Sequence, residues 1–303
     1  FTRWLQWRWP LYLLVLFLLT LPLVLGHSSR NTSRWIELGF LRLQPSQLAI
    51  PLVGLSTVYL LAQTKLSFKR LLLVLASLLP PAGLIFISPD LGTSVVFVGV
   101  LVSLFWFAGA PLRHLALLSA LALVGVVLSW MFILKPYQRE RMLSFIAGSQ
   151  QEEEQHYNAA QALIAVGGGT FSGLGWGKGT QSHLQFLPER QTDFIFSSYA
   201  EEYGFVGTAS LLLVILTLGG VLFFYGRETA DKSAALYLIL SALTICIQAG
   251  VNIGMNIGFL PITGVTLPLV SYGGSSILAT GVLLGIAQSI LNEQKQVSAK
   301  VLR

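Results

Sequence analysis

Charge is what this chain lacks most. Only 11% of its 303 residues are Asp, Glu, Lys or Arg, against about 25% in a soluble domain. That is too few to wet the surface of a globule this size, so a soluble fold is excluded. Cysteine is nearly absent too. Cys246 alone cannot form an intrachain disulfide, which excludes a disulfide-built scaffold; inside an apolar stretch, it reads as a small core residue. The four histidines, His27, His114, His156 and His183, show no metal-ligand spacing. The glycine cluster from Gly167 to Gly179 is no P-loop, because Lys178 is followed by Gly179 rather than Ser or Thr. It also fails G-x-G-x-x-G in every register. What it offers is a flexible backbone with free N–H groups and one ammonium, able to contact a pyrophosphate, or simply a turn-rich loop. Low-complexity sequence is confined to Gln150–Gln155, a solvated acidic run. Disordered, collagenous and nucleic-acid-binding classes are therefore excluded.

What is present is apolar: 54% of residues are hydrophobic and the mean hydropathy is +0.70. A helical span of the hydrocarbon core needs about 20 mostly apolar residues. Eight stretches qualify, at roughly 10–26, 46–63, 70–87, 91–109, 113–134, 194–225, 233–259 and 268–291. The reading is an all-α polytopic membrane protein, since backbone facing lipid must satisfy itself. With the N-terminus inside, 11 of the 19 basic residues fall on inner segments and 8 on outer ones. Five of those 8 lie in one long outer loop, 135–193, which counts for little, leaving 11 against 3 in the short loops. Both termini are expected to be cytoplasmic. The long loop carries Trp176, Phe186 and Leu187 and is expected to be ordered against the bundle.

Ionisable groups at a membrane boundary are functional candidates by default. Asp90 sits in the turn Ser88–Thr93. Asp193 stands where the long loop re-enters the membrane, in Leu187–Phe196, with Glu201 and Glu202 just beyond. Asp193 reads either as a helix cap with Thr192 or as a general base in a half-dry cleft, and residue types alone leave both open. A second polar region spans Asn252–Pro261 and Leu267–Ser276. Polar, Gly and Pro residues at such depth need other protein or a water-filled cavity around them, which Asp193 is placed to line.

The strings GLGWGKGTQSHLQFLPERQTDFIF, AEEYGFVG, NIGMNIGFLPITGVTLPLVSYGGSS, RWIELGFLRLQPSQLA and SPDLGTS resemble the SEDS family, the shape, elongation, division and sporulation proteins of the bacterial cell wall. The resemblance runs from about Arg34 to Ser289. The GW–GTQ and LPER variants are closer to its RodA-like branch than to its FtsW-like one. Family membership implies ten transmembrane helices, of which the first two would precede Phe1, all in a single domain over 1–303.

It also implies a peptidoglycan glycosyltransferase that polymerises lipid II, the undecaprenyl-pyrophosphate-linked disaccharide-pentapeptide, at the outer face of the cytoplasmic membrane. Asp193 matches the family's essential aspartate. As general base it would take the proton from a sugar 4-hydroxyl that attacks the donor's anomeric carbon, an inverting displacement. The departing pyrophosphate needs positive charge placed in advance, for which the outer face offers Arg139, Arg141, Lys178 and Arg190; their plainer role is to meet lipid headgroups. Glu189, Thr192, Ser271, Tyr272 and Gly273 are expected around the substrate. A divalent cation, Mg or Mn, could share the task, with no ligand set visible. The expected partners are lipid II, the growing glycan strand, a class B penicillin-binding protein and membrane lipids, and no nucleic acid. One departure stands out. Where the family usually reads QPSE-x-AK, this chain has Gln47 and Ile50, so a Glu and a Lys are lost. That keeps two alternatives open: a flippase for the lipid-linked precursor, and a catalytically impaired scaffold.

Overall fold

A computed structural model describes residues 1–25, 34–38, 41–63, 67–88, 90–128, 130–131, 139, 153–184 and 186–301. Its helices are α1 (Thr2–Gln6), α2 (Arg8–Leu25), α3 (Pro45–Ala62), α4 (Phe68–Ile87), α5 (Leu91–Phe107), α6 (Leu112–Leu128), α7 (Glu153–Gly168), α8 (Thr180–His183), α9 (Ile195–Glu228), α10 (Lys232–Asn256) and α11 (Gly274–Val301). A helix occupies each of the eight predicted stretches. Among the described residues, five of them (α3, α4, α9, α10 and α11) are long and apolar enough to cross a membrane. The chain is a multi-pass helical membrane protein.

Two details depart from the sequence reading. A short antiparallel hairpin, β1 (Ile36–Leu38) and β2 (Leu41–Leu43), precedes α3 and pairs Glu37 with Arg42. The last span starts at Gly274 rather than at 268. Leu269 has φ +64°, and the Ser271 hydroxyl accepts the Leu267 N–H, so the backbone turns there instead of entering a helix.

The chain forms two compact units. One comprises Phe1–Ser119, Leu218–Ile247 and Gly274–Arg303, the other Ala120–Thr217 and Gln248–Gly273. In the first, α3 is the central helix, packed by α2, α4 and α11. Proline within a membrane helix leaves a carbonyl unpaired. Pro81 does so in α4, and the Tyr12 hydroxyl donates to the freed Ser77 carbonyl at 2.8 Å. Gly219 and Gly226 let α9 approach α10 closely, since a methyl group at either would press on Cys246 or Ile239.

The second unit is built around a break in α9. Gly204 has φ 64° and ψ −161°, a conformation open essentially to glycine alone. The break removes two helical hydrogen bonds, leaving the carbonyls of Glu201 and Glu202 and the amides of Phe205 and Val206. The glycine-rich segment takes up all four. Leu174 N and Gly175 N donate to the Glu201 and Glu202 carbonyls, while Phe205 N and Val206 N donate to Thr170 O and Phe171 O, at 3.0–3.2 Å. Gly169 and Gly173 make this approach possible, because a Cβ on either would fall about 2 Å from the Ala200 or Glu202 carbonyl oxygen. This corrects the expectation of free N–H groups: Gly173, Leu174, Gly175 and Lys178 all donate to backbone carbonyls. Gly169, Gly173 and Gly204 serve close packing of backbone on backbone.

Gly204→Ala is therefore expected to lower the thermal unfolding midpoint in detergent. Backbone strain alone costs about 1–3 kcal/mol, and the new Cβ would lie 2.3 Å from Gly173 N. Gly220→Ala, in the same helix with open space around it, serves as the control and should leave the midpoint unchanged.

Candidate active site

Asp193 lies at the head of α9, half-buried, beside a small apolar cluster of Ala162, Leu187 and Phe194 with Ile262 packed against it. Its approach is a tight turn whose backbone carbonyls are bonded one after another. Glu189 O, with Glu189 itself at φ +50°, accepts from the amides of Thr192 and Phe194. Arg190 O accepts from the Ser198 hydroxyl at 3.3 Å, and Gln191 O from Tyr272 N at 2.8 Å. Thr192 O accepts from the Ser271 hydroxyl at 2.7 Å. Asp193 O accepts from two amide side chains, Asn252 Nδ2 and Asn256 Nδ2, each at 3.0 Å.

Five successive carbonyls are thus held, two from within the turn and the start of α9 and three by two separate segments, residues 271–272 and α10. Asn252 and Asn256 are four residues apart, so α10 presents both on one face, and both are fully buried. Asn256 also accepts from Ser197 N at 3.2 Å and from the Ser197 hydroxyl at 2.6 Å, tying the first turn of α9 to the same point. Asn252 reaches Val265 O at 2.7 Å, and Gln248 Nε2 reaches Thr266 O at 3.2 Å, which anchors the segment after α10. Gly264 (φ 72°) brings that segment so near that a Cβ would stand 3.4 Å from Asp193 Oδ2. An immobilised backbone fixes where a carboxylate can point, and such pre-positioning is what a catalytic base requires.

Of the expected site residues, Glu189, Arg190, Thr192, Ser271 and Tyr272 share this turn and its clamp. The Thr192 hydroxyl donates to Glu189 Oε2 at 3.1 Å. Ser271 and Tyr272 act here through hydroxyl and backbone amide, with the Tyr272 ring exposed. Gly273 follows directly, ahead of α11. Lys178 is exposed on the glycine-rich turn that docks on Glu201–Val206, a different part of the unit. Arg139 donates from Nη2 to Met131 O at 3.3 Å, and Arg141 lies outside the described residues. Among the described residues, no three His, Cys, Asp or Glu side chains gather to hold a metal ion.

Sequence reasoning put Asn252, Asn256 and Ser271 in a cleft lining but missed that they grip the Asp193 backbone. The signal was available: paired amides at i and i+4 in an apolar helix need buried partners. Glu201 was likewise only noted in passing. It is 1% exposed and accepts from Gln181 N (2.8 Å), Ser182 N (3.0 Å), the Ser182 hydroxyl (2.7 Å) and the Thr180 hydroxyl (3.2 Å). It caps α8 and fastens the loop to α9.

The other motif blocks meet within the first unit. Asp90, 2% exposed, caps α5 through Thr93 N (3.3 Å) and accepts from the Ser46 hydroxyl (2.6 Å) and from Gln44 Nε2, with Arg34 Nη1 at 4.0 Å. The Ser275 hydroxyl accepts from Gln44 N and donates to Arg42 O. Gln47 Nε2 donates to Gln44 Oε1 at 3.1 Å, which leaves the Gln44 amide nitrogen turned to Asp90. A Glu at 47 would set acceptor against acceptor, and Ile50 is buried on the same helix face. Gln47→Glu alone is expected to destabilise the protein by about 1–3 kcal/mol, read as a lower unfolding midpoint. Adding Ile50→Lys should recover part of the loss, because the two lost charges would again face each other.

Fold and site together define a polytopic helical membrane protein in which a half-buried aspartate heads a long apolar helix on a tightly bonded turn. The chain matches the FtsW/RodA/SpoVE cell cycle protein family over residues 1–296, and it belongs to that family. It is 34% identical over 301 residues to the peptidoglycan glycosyltransferase MrdB of Escherichia coli K12, covering 97% of this chain and 80% of that protein. It is 33% identical over 298 residues to a probable peptidoglycan glycosyltransferase FtsW of Thiomicrospira cyclica, covering 95% and 75%. Among solved structures, a chain of a peptidoglycan synthase complex that coordinates polymerization and crosslinking superposes with TM-score 0.76 at 33% identity, covering 94% of this chain and 81% of that one. The rod shape determining protein RodA of Thermus thermophilus superposes with TM-score 0.68 at 30% identity, covering 94% and 78%.

Proposed function

We propose that this chain is a RodA-like peptidoglycan glycosyltransferase of cell elongation, polymerising lipid II with Asp193 as general base. The observation that supports the reading is the grip on the backbone around Asp193: five consecutive carbonyls are bonded, from within the turn and start of α9, from residues 271–272 and from α10. The named activities of its relatives support the same chemistry.

In the reaction, Asp193 accepts the proton of the acceptor sugar's 4-hydroxyl as that oxygen attacks the anomeric carbon of the donor. The bond from that carbon to the pyrophosphate oxygen breaks, the configuration inverts, and undecaprenyl pyrophosphate leaves with the electron pair. No covalent enzyme intermediate is needed. Positive charge for the leaving group comes from Arg190 in the Asp193 turn, with Arg139 and Arg141 as further cations of the outer side; Lys178 sits on the glycine-rich turn beside Glu201–Val206, about two helical turns further along α9, and is left out of this role. A divalent Mg or Mn ion bound with the pyrophosphate would supply additional neutralising charge. Glu189, Thr192, Ser271, Tyr272 and Gly273 surround the reacting groups. The termini are cytoplasmic, the site opens on the extracytoplasmic face, and a class B penicillin-binding protein crosslinks the product.

The test uses the purified chain with such a partner whose own transferase activity is blocked. Glycan polymer from lipid II supports the assignment. Translocation of a fluorescent lipid-linked precursor without polymer would instead make it a flippase, and neither activity would make it a scaffold.

A further inference from the structure

The segment expected to be an outer loop ordered against the bundle has its polarity inside out. On α7 from Tyr157 onward, the exposed positions are Tyr157, Ala160, Leu163, Ile164, Gly167 and Gly168, spaced three or four apart along one face. Among these described positions there is no charged or amide side chain. The polar residues Asn158 and Gln161 are half-buried on the protein side, together with the fully buried Ala162 and Ala165. A helix in water turns its large apolar side chains inward. Here the fully buried positions are alanines, while the large side chains Tyr157, Leu163 and Ile164 face outward, with Ile164 51% exposed and Phe171, just past the helix, 70% exposed.

The contacts of this segment define its path. Ala162 packs with Leu187 and Phe194, at the start of α9. Gly169 abuts the Ala200 carbonyl, and the turn that follows bonds to Glu201–Val206. From Ala162 to Gly169, α7 thus descends about 10 Å alongside α9. Leu187 marks the return to the starting level. The apex contains irregular backbone, tolerated at membrane depth where protein satisfies it, and the exchange of hydrogen bonds at Gly204 does so. Phe171 stacks on Phe205 with ring centroids 6.0 Å apart. That contact makes the outward face continuous with the exposed wall of the α9 span, Val206, Leu213 and Val214.

We infer that α7 and the glycine turn form a re-entrant helix–turn whose outward face from Tyr157 to Phe171 is solvated by acyl chains of the leaflet nearer Asp193, with the exposed Lys178 beyond it extending its ammonium toward the polar side. The surface is a lipid interface, and this does not depend on the chemistry at Asp193. An apolar face this large in water would be unusual for any folded protein.

The test is nitroxide scanning of the full chain in phosphatidylethanolamine–phosphatidylglycerol vesicles, in a Cys246→Ala background. Labels are placed by Tyr157→Cys, Ala160→Cys, Ile164→Cys and Phe171→Cys. Val214→Cys provides the lipid-facing reference and Ala230→Cys, in the exposed turn between α9 and α10, the aqueous one. All four test positions point outward, so the fold should survive, and labels at Ala160 and Ile164 alone suffice if Phe171→Cys loosens its stacking. The expected ratio of oxygen to nickel-chelate collisions at Ala160, Ile164 and Phe171 is several-fold above that at Ala230 and rises from Tyr157 toward Phe171. Nickel access equal to that at Ala230 would overturn the inference by placing the helix in water. Shielding from both reagents would overturn it by showing a protein surface over the face. An equal, shallow depth at all four positions would overturn the re-entrant path.

Discussion

Asp193→Asn is expected to reduce glycan polymerisation roughly 10²–10⁴-fold, the usual contribution of a positioned general base. The substitution keeps size and shape, and it leaves the Asp193 backbone carbonyl with both of its amide donors, Asn252 and Asn256. The thermal unfolding midpoint should therefore stay near that of the unaltered protein. Loss of rate with an intact fold is the signature of a chemical role. A similar fall in both would make Asp193 a structural residue, a helix cap after all. Measuring initial rates of lipid II consumption beside unfolding midpoints separates the two.

Asn256→Leu should cost both activity and stability. The replacement fits the volume but leaves Ser197 N and its hydroxyl without their acceptor, and Asp193 O with Asn252 as its remaining side-chain donor. Unpaired buried groups of this kind cost about 1–3 kcal/mol each. The polymerisation rate should fall roughly 10²-fold, because a shift of about 1 Å in a reacting group has that effect. The fall belongs in kcat rather than KM, since Asn256 touches the backbone of the base and not the substrate. Ser271→Ala, which loses one donor to Thr192 O, should act in the same direction more mildly. It keeps the comparison available if Asn256→Leu folds poorly.

The membrane class and the approximate place of the long apolar helices could be read from the sequence, because apolar run length is a strong and local signal. Asp193 stood out as a candidate for a related reason: a carboxylate at the edge of an apolar stretch is costly and conspicuous. What escaped the sequence were the long-range partnerships of polar atoms. Asn252 and Asn256 lie 59 and 63 residues beyond Asp193, and nothing in their spacing tells which carbonyls they take. The glycine-rich segment misled for the opposite reason. Its composition suits an anion-binding loop as well as close backbone packing, and only the break at Gly204 decides between them. The late start of α11 followed from Leu269 and Ser271 turning the backbone, which a hydropathy pattern does not register.

In the proposed mechanism the amides of α10 matter to catalysis through Asp193 alone. The most direct measurement is the single-turnover polymerisation rate of Asp193→Asn, Asn256→Leu and the double variant. If Asn256 only positions the base, the double variant should be no slower than Asp193→Asn by itself, since a base that is gone cannot be misplaced. Losses that multiply in the double variant would contradict the account and assign Asn256 a role of its own.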